Sequence, residues 1–526
     1  MSLTKTQIPF DKTKIFSKIF LDFSAGRLSD LYPYESSLAG IKAFTDQNSY
    51  DKLDRKTLVE ELKRQSSGIE LSGLSRENIE SLARKDTYTV TTGHQLCLAT
   101  GPLYFIYKIL SVINLSERLN AGNPGKKFVP VYWMATEDHD AEEINHINLF
   151  NKKFTWSTAQ KGKVGEFSLE GLDGFLDEIA DVLGENEQAK SILTLLKKAY
   201  SQKDLAAATR YLVNELFGKY GLVILDGNSK AFKQQFIEEI RRDIFENFAF
   251  KKVNETLQLF KQKGYEAQVN PREINCFYTE PGLRERIVEE NSKYKVLNTD
   301  LAFTKEELES KIENETEKFS PNVVMRPLFQ QKIMPNAVYV GGPGELAYWL
   351  QYKSMFAEAK IPYPVLAPRD FILYIEKGLQ QRMEKLNLQA ADFFGDKEKL
   401  IKEFALQQQP LDLAPEKENL RKLFEEAKAK LAKADKTLEA ATEAELQKNL
   451  KSLETLEQKG VRAIKQKSEQ SINQIEAIYG RFFPDNAPQE RVENFLRFYL
   501  SNPAFIEQVK NAGGFFEKSV SVLTEN

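Results

Sequence analysis

The chain is poor in histidine and cysteine, and it has almost no net charge. Its 526 residues include 3 His and 2 Cys, with 73 Lys+Arg against 76 Asp+Glu. This balance argues against a general nucleic-acid binder, which carries a basic surplus. The two cysteines, Cys97 and Cys276, are too few for a disulfide framework and indicate a reducing compartment.

Long apolar stretches are also missing. No uninterrupted run approaches the roughly 18 residues that span a bilayer, and the first residues, MSLTKTQIPFDKTKIF, contain charges but no apolar signal region. We therefore expect a cytoplasmic protein without a membrane partner. The length predicts roughly two to four domains, and 41% hydrophobic residues are typical of a folded chain.

A strand–turn–helix–strand pattern begins near residue 88. Tyr88–Thr92 is short and β-branched, and it leads into Gly93-His94-Gln95. Gly101-Pro102 would begin a helix that runs to about residue 120, and the apolar run Phe128–Ala135 follows. This order is typical of a parallel, doubly wound sheet, and it predicts an α/β fold with a Rossmann-like core.

A second unit of the same kind lies far along the chain. Ala337–Val340 leads into the turn Gly341-Gly342-Pro343-Gly344-Glu345 and a helix, and Pro362–Ala367 supplies the next strand. Gly221–Asp226 is predicted as a further core strand. We predict a core over residues 1–375, with insertions at about 150–215 and 240–320.

After residue 375 the sequence becomes helical and rich in charge. A heptad seam is predicted from the spacing of Leu420, Phe424, Ala427, Leu431, Ala434 and Leu438. Long helices of this type pair either within the chain or with a second copy. We predict a helical coiled-coil domain over residues 376–500, a C-terminal segment over 501–526, and a homodimer through the coiled coil.

Both glycine turns are predicted at the carboxyl ends of strands, where open parallel sheets bind their ligands. Gly93, Gly101, Gly342 and Gly344 would let a ligand approach the backbone, and helix N-termini attract anions. In either turn alone, the glycines could equally serve only the geometry of the turn. Neither turn is a P-loop or a dinucleotide-binding fingerprint.

The segment Thr136–His146 contains five acids and two histidines in its sequence TEDHDAEEINH. If it is helical, His139, Glu143 and His146 share a face that could hold a divalent metal. The alternative is an acidic helix N-terminus, which the helix dipole favours. A structural zinc site is not expected, because the chain has no CxxC motif and no Cys/His pairing.

Further side chains near the turns are candidates for ligand contact. Lys108 and Tyr104 lie one turn apart on the first predicted helix, where Lys108 could neutralise a phosphate or carboxylate or simply be solvated. Arg326 lies in an apolar context that suits bidentate anion recognition, unless it pairs with a core acid. Cys97 could be a nucleophile beside His94 or a buried apolar residue, as free cysteines usually are.

Three long segments, in this order, resemble the cysteine ligase family of bacillithiol biosynthesis, BshC. They are TTGHQLCLATGPLYFIYKILSVINL, VPVYWMATEDHDAEEIN and MRPLFQQKIMPNAVYVGGPGELAYW, and the C-terminal PQERVENFL is in keeping with them. The resemblance covers essentially the whole chain. It implies a core similar to nucleotidylyltransferases and class I aminoacyl-tRNA synthetases, with connecting-peptide insertions and a dimer-forming coiled coil.

The resemblance implies a ligase that adds cysteine to the amino group of glucosaminyl malate, the final step to bacillithiol. By analogy with synthetases, ATP would activate the cysteine carboxylate, although no KMSKS-like lysine loop follows the last core strand; no metal is expected. Two other functions stay open. One is a metal-dependent hydrolase or transferase built on Asp138, His139, Glu143 and His146, and the other is a non-enzymatic nucleotide-binding assembly protein.

Particular residues are predicted to carry out this reaction, some from the resemblance and the others from their positions at the strand ends and turns. His139 or Asp138 is the predicted general base, which takes a proton from the sugar amine. The predicted substrate- or nucleotide-binding residues are Gly93, His94, Gln95, Gly101, Tyr104, Lys108, Glu137, Asn145, Arg326, Gly342, Gly344, Glu345 and Tyr348.

Overall fold

The computed structural model describes residues 2–526, which form two compact units. The first contains residues 2–11, Ile15–Tyr374 and Ala487–Asn526, and the second contains Lys12–Lys14 and Ile375–Asn486. The domain boundary predicted at residue 500 therefore differs from the structure, in which the second unit ends at Asn486. The reason is that the C-terminal strand pairs antiparallel with the N-terminal strand, which draws the end of the chain into the first unit.

Within residues 2–526, the strands are arranged as three larger sheets and one hairpin. In chain order they are β1 (Leu3–Pro9), β2 (Thr87–His94), β3 (Lys127–Met134), β4 (His146–Leu149), β5 (Lys152–Thr155), β6 (Val223–Asp226), β7 (Cys276–Glu280), β8 (Leu283–Glu290), β9 (Lys293–Val296), β10 (Ala302–Phe303), β11 (Phe319–Pro321), β12 (Asn336–Gly341), β13 (Val365–Pro368), β14 (Ile372–Ile375) and β15 (Ser519–Glu525).

Helices surround the sheets of the first unit and make up most of the second. They are α1 (Phe10–Thr13), α2 (Lys18–Ser24), α3 (Leu38–Gln47), α4 (Arg55–Gln65), α5 (Gly73–Ser81), α6 (Tyr104–Gly122), α7 (Leu172–Leu183), α8 (Glu187–Ala199), α9 (Leu205–Phe217), α10 (Lys230–Gln234), α11 (Ile237–Glu246), α12 (Phe248–Gln262), α13 (Lys305–Asn314), α14 (Arg326–Ile333), α15 (Pro343–Trp349), α16 (Lys353–Ala359), α17 (Lys377–Lys385), α18 (Lys397–Gln408), α19 (Ala414–Leu431), α20 (Leu438–Lys467), α21 (Glu469–Phe482), α22 (Gln489–Val492), α23 (Leu496–Ser501) and α24 (Phe505–Ala512). Between residues 2 and 526, no helix is long and apolar enough to cross a membrane.

The central sheet is parallel and has the strand order β13-β12-β2-β3-β6. Every residue of β2 is buried, since the strand lies between β12 and β3 and α6 packs against it. The ends of β2, β3 and β12 therefore meet at one edge, which brings the two predicted glycine turns side by side. The predicted Rossmann-like α/β core is confirmed.

Two insertions interrupt the parallel sheet. The first, between β3 and β6, contains the hairpin β4-β5 and the helices α7, α8 and α9. The second, between β6 and β12, contains an antiparallel sheet of order β10-β9-β8-β7-β11. Its last strand, β11, leads into α14 and so returns the chain to the central sheet.

The second unit contains an antiparallel helical pair. Helices α19 and α20 are joined by ion pairs between Lys417 and Glu457 and between Lys428 and Glu443. The predicted heptad seam does not continue through one helix, because α19 ends at Leu431 and α20 begins at Leu438. Asp435 explains the break: its carboxylate accepts hydrogen bonds from the amide and the hydroxyl of Thr437, both at 2.8 Å, and so competes with helical bonding.

Candidate active site

A cavity of about 380 Å³ lies in the first unit at the carboxyl edge of the parallel sheet. The ends of β2, β3 and β12, the first turns of α6 and the loop after β11 form its wall. The predicted site residues that line it are Gly93, His94, Gln95, Tyr104, Lys108, Asp138, Arg326, Gly342, Gly344, Glu345 and Tyr348. The linear motifs far apart in sequence therefore share one cavity.

Two charged side chains of opposite sign, Asp138 and Arg326, line this cavity, and neither forms a salt bridge within residues 2–526. Arg326 donates hydrogen bonds only to neutral groups, Oε1 of Gln330 at 3.0 Å and the hydroxyl of Tyr348 at 3.2 Å. Burial raises the pKa of the Asp138 carboxyl, while the positive charges of Arg284 and Arg326 act in the opposite direction. A ligand with an amino group and an acidic group would complement this pair.

Lys108 is engaged by protein groups. Its ammonium, on a side chain that is 3% exposed, donates to Oε2 of Glu345 at 2.7 Å and to the carbonyl of Gly93. Glu345 also accepts from the hydroxyl of Tyr339 at 2.8 Å and from the amide of Gly342 at 2.9 Å. This network ties the turn after β2 to the turn after β12, so that Lys108 and Glu345 shape the wall of the cavity.

His94 presents an unpaired acceptor in the cavity wall. Its Nδ1 lies 2.9 Å from the carbonyl oxygen of Gln95, which only accepts, so Nδ1 carries the proton. The other ring nitrogen, Nε2, is buried and makes no hydrogen bond within residues 2–526. Burial, reinforced by the charge of Lys108, lowers the pKa of His94 to about 3, and the ring is therefore neutral at physiological pH.

His139 lies outside the cavity lining and is held by Arg284, which sequence reasoning missed. Arg284, on β8, donates to Nδ1 of His139 at 2.6 Å, and its guanidinium stacks over the ring of Phe277 at 4.0 Å. Because Nδ1 accepts, the neutral ring carries its proton on Nε2. Partial desolvation and the charge of Arg284 lower the pKa of His139 and favour this neutral form.

Two family models together match almost the whole chain. Residues 3–370 match "Bacillithiol biosynthesis BshC, N-terminal Rossmann-like domain", and residues 372–525 match the corresponding C-terminal coiled-coil domain. The chain belongs to the BshC family. The predicted family and the presence of a C-terminal coiled-coil domain are confirmed.

Curated relatives of the BshC family carry the name "Putative cysteine ligase BshC". The protein of Flavobacterium psychrophilum is 42% identical over 94% of both chains, and that of Flavobacterium johnsoniae is 41% identical over 96% of this chain and 97% of its own. The protein of Bacillus cytotoxicus is 29% identical over 92% of this chain and 94% of its own. These names confirm the prediction of a ligase-type enzyme.

Among solved structures, one match illustrates a similarity too low to bear on fold or function. It is titled as a putative arginyl tRNA synthetase of Campylobacter jejuni, and it is 12% identical with a TM-score of 0.20, covering 84% of this chain and 96% of its own.

Three other predicted residues of the BshC motifs lie outside the cavity lining. Glu137 forms a buried ion pair with Lys233, which anchors the loop after β3. Asn145 accepts a backbone hydrogen bond from Trp156 at 2.7 Å. Gly101 has a φ of +66°, and a Cβ there would lie 2.6 Å from Cβ of Cys97, so the turn requires glycine.

Cys97 is buried, which agrees with the second of the two alternatives, a buried apolar residue, and not with a nucleophile. Burial raises the pKa of its thiol to about 12, so the thiolate that a nucleophile requires is not available at neutral pH. Both cysteines of the chain are free and buried.

The helix on which both alternatives for Thr136–His146 depended is not formed, and neither the metal-binding face nor the acidic helix N-terminus is present there. The segment is a series of turns, and its last residue, His146, begins β4. Backbone amides of Val164 and Gly165 donate to the carbonyls of Asp138 and Thr136 at 2.7 and 2.9 Å, so the start of the segment is bound by a later part of the chain. Among residues 2–526, no group of three His, Cys, Asp or Glu side chains could hold a metal ion.

Proposed function

We propose that this cavity joins the carboxyl carbon of cysteine to the amino group of glucosaminyl malate through an amide bond. The observation that carries the proposal is the presence in one cavity of Asp138 and Arg326, neither of which forms a salt bridge within residues 2–526. Glucosaminyl malate has an amine that complements the carboxylate and malyl carboxylates that complement the guanidinium. The names of the BshC relatives support cysteine as the second substrate.

Asp138 is the general base of this proposal. The amine nitrogen attacks the carboxyl carbon, a C–N bond forms, and one carboxylate oxygen leaves with its activating group. The proton lost by the amine passes to Asp138. A carboxyl whose pKa is raised by burial is better matched to this transfer than an ordinary aspartate.

His139 is less suited to that role. Its Nδ1 lone pair is occupied by Arg284, and its Nε2 already carries a proton. The ring also lies outside the residues that line the cavity. We therefore assign His139 and Arg284 to the positioning of the loop that carries Asp138.

ATP is the energy source that we propose, because the BshC core is Rossmann-like and amide formation requires an activated carboxylate. When bound, ATP would supply that activation. Two features of the chain fit a nucleotide: Nε2 of His94 is a buried acceptor without a partner, which suits a hydroxyl or amino donor, and Gly344 leaves open space where a Cβ would stand.

We also propose a cytoplasmic homodimer. Two free cysteines fit a reducing compartment. Apolar side chains remain exposed on the helical pair, including Leu423 of α19 at 61% and Leu456 of α20 at 56%, and a second copy would cover them. Light scattering of the variant Leu423→Lys/Leu456→Lys should give the monomer mass; an unchanged dimer mass would place the interface elsewhere.

Mass spectrometry of a reaction in vitro tests the function. The protein is incubated with cysteine and glucosaminyl malate, with and without ATP. We expect the amide product only with ATP. Equal product without ATP would overturn the energy source, and no product under either condition would overturn the ligase assignment.

A further inference from the structure

We propose that Arg491 binds the second carboxylate of the acceptor substrate and so makes the site selective for a dicarboxylate. This inference rests on the proposed function. Arg491 lies on α22, in the PQERVENFL segment, and it lines the same cavity as Asp138 and Arg326. Its side chain is exposed, and no carboxylate pairs with it within residues 2–526.

The chain before Arg491 is held by polar contacts. Gln489 exchanges two hydrogen bonds of 3.0 Å with the backbone of Tyr374. Glu490 binds the guanidinium of Arg369 bidentately at 2.7 and 2.5 Å, with side chains that are 7% and 3% exposed. Arg369 itself lines the cavity, so this ion pair fixes α22 against the wall.

The chain after Arg491 is held equally well. Nδ2 of Asn494 donates to the carbonyls of Ala99 and Gly101 at 2.9 and 2.7 Å. The amide of Leu103 donates to the carbonyl of Glu493 at 2.9 Å. These contacts bind the segment to the turn between β2 and α6, which is the turn that carries the cavity's first motif.

The segment therefore fixes the backbone of Arg491 from both sides. The polar side chains of Gln489, Glu490 and Asn494 form hydrogen bonds with protein groups, whereas the side chain of Arg491 is available to a ligand. Arg326 and Arg491 then supply two guanidinium groups for two carboxylates, and Asp138 faces the amine.

Steady-state kinetics with two acceptors tests the inference. The acceptors are glucosaminyl malate and the analogue in which lactate replaces malate, which lacks one carboxylate. We expect Arg491→Gln to raise KM for glucosaminyl malate about tenfold with little change in kcat, since one charge-assisted contact is lost. The KM ratio between the two acceptors should fall towards one, and Arg491→Lys should restore part of it because the charge is kept.

Arg76→Gln is the matched control, because Arg76 is an exposed arginine on α5 outside the cavity. An Arg491→Gln enzyme with the wild-type KM ratio would overturn the inference.

If wild-type protein ligates neither acceptor, the proposed function fails, and calorimetry with free L-malate and L-lactate then tests Arg491 by itself. Weaker malate binding in Arg491→Gln, with lactate binding unchanged, supports the assignment; equal malate binding in both proteins overturns it.

Discussion

Arg284 donates a hydrogen bond to Nδ1 of His139 over 2.6 Å, and so joins the second insertion to the loop after the core strand β3. Burial raises the pKa of the neighbouring Asp138 carboxyl, and the positive charge of Arg284 partly offsets this rise. One guanidinium from the insertion thus sets the tautomer of His139 and stabilises the ionised form of Asp138.

Asp138→Asn removes the proposed base at almost constant volume. We expect kcat to fall by a factor of about 10² to 10⁴, the usual contribution of general base catalysis, while the KM for cysteine changes little. Steady-state kinetics with a thermal melt as a folding control checks this. A variant with wild-type kcat would exclude Asp138 as the base.

Replacing Arg284 should change the pH profile. Arg284→Gln removes a positive charge that lowers the pKa of Asp138, so that pKa rises further. Because the base must be ionised, the acidic limb of kcat/KM should move to higher pH, and Arg284→Lys should leave it near the wild-type position. An unchanged limb, or one that moves to lower pH, would contradict the link between Arg284 and Asp138.

Arg326→Gln should weaken acceptor binding. The variant loses the charge that we propose for a malyl carboxylate, and a charge-assisted hydrogen bond contributes about 1.5–3 kcal/mol. We expect KM for glucosaminyl malate to rise by roughly ten- to a hundredfold, with Arg76→Gln unchanged. Isothermal titration calorimetry with the acceptor alone measures the binding affinity without turnover. Equal affinity for Arg326→Gln and Arg76→Gln would show that Arg326 does not bind the acceptor.

Glu490→Gln should destabilise the first unit. The change leaves the buried guanidinium of Arg369 without its ionic partner, and breaking a buried pair costs about 3–5 kcal/mol. Urea unfolding of the full chain measures this loss. The double variant Arg369→Leu/Glu490→Leu should recover much of it, because no charge is then left buried; a double variant less stable than Glu490→Gln would refute this explanation.

Much of the core could be predicted from the sequence because its signals are local. The strand β2 and the helix α6 are apolar runs separated by a glycine turn, and β12 with its own turn repeats the pattern. Their parallel pairing then follows from general rules of α/β folds. This is why most predicted site residues share one cavity.

The rest depends on contacts between distant parts of the chain. Thr136–His146 has a composition that allows a helix, yet hydrogen bonds from Val164 and Gly165 hold it in turns. Arg284 lies on a strand of the second insertion with no motif around it, and its partner His139 is 145 positions earlier. Arg491 lies within the PQERVENFL segment, but only the packing of α22 against the cavity places it among the lining residues, on which the proposed role rests.

The fate of the cysteine carboxylate oxygens tests the central claim most directly. Wild-type protein is incubated with ATP, glucosaminyl malate and cysteine labelled with ¹⁸O in both carboxylate oxygens, and the products are examined by mass spectrometry. The account predicts an amide product that retains one labelled oxygen, with the other recovered in AMP or inorganic phosphate. An absent amide product, or a product whose formation transfers no label to AMP or phosphate, would contradict it.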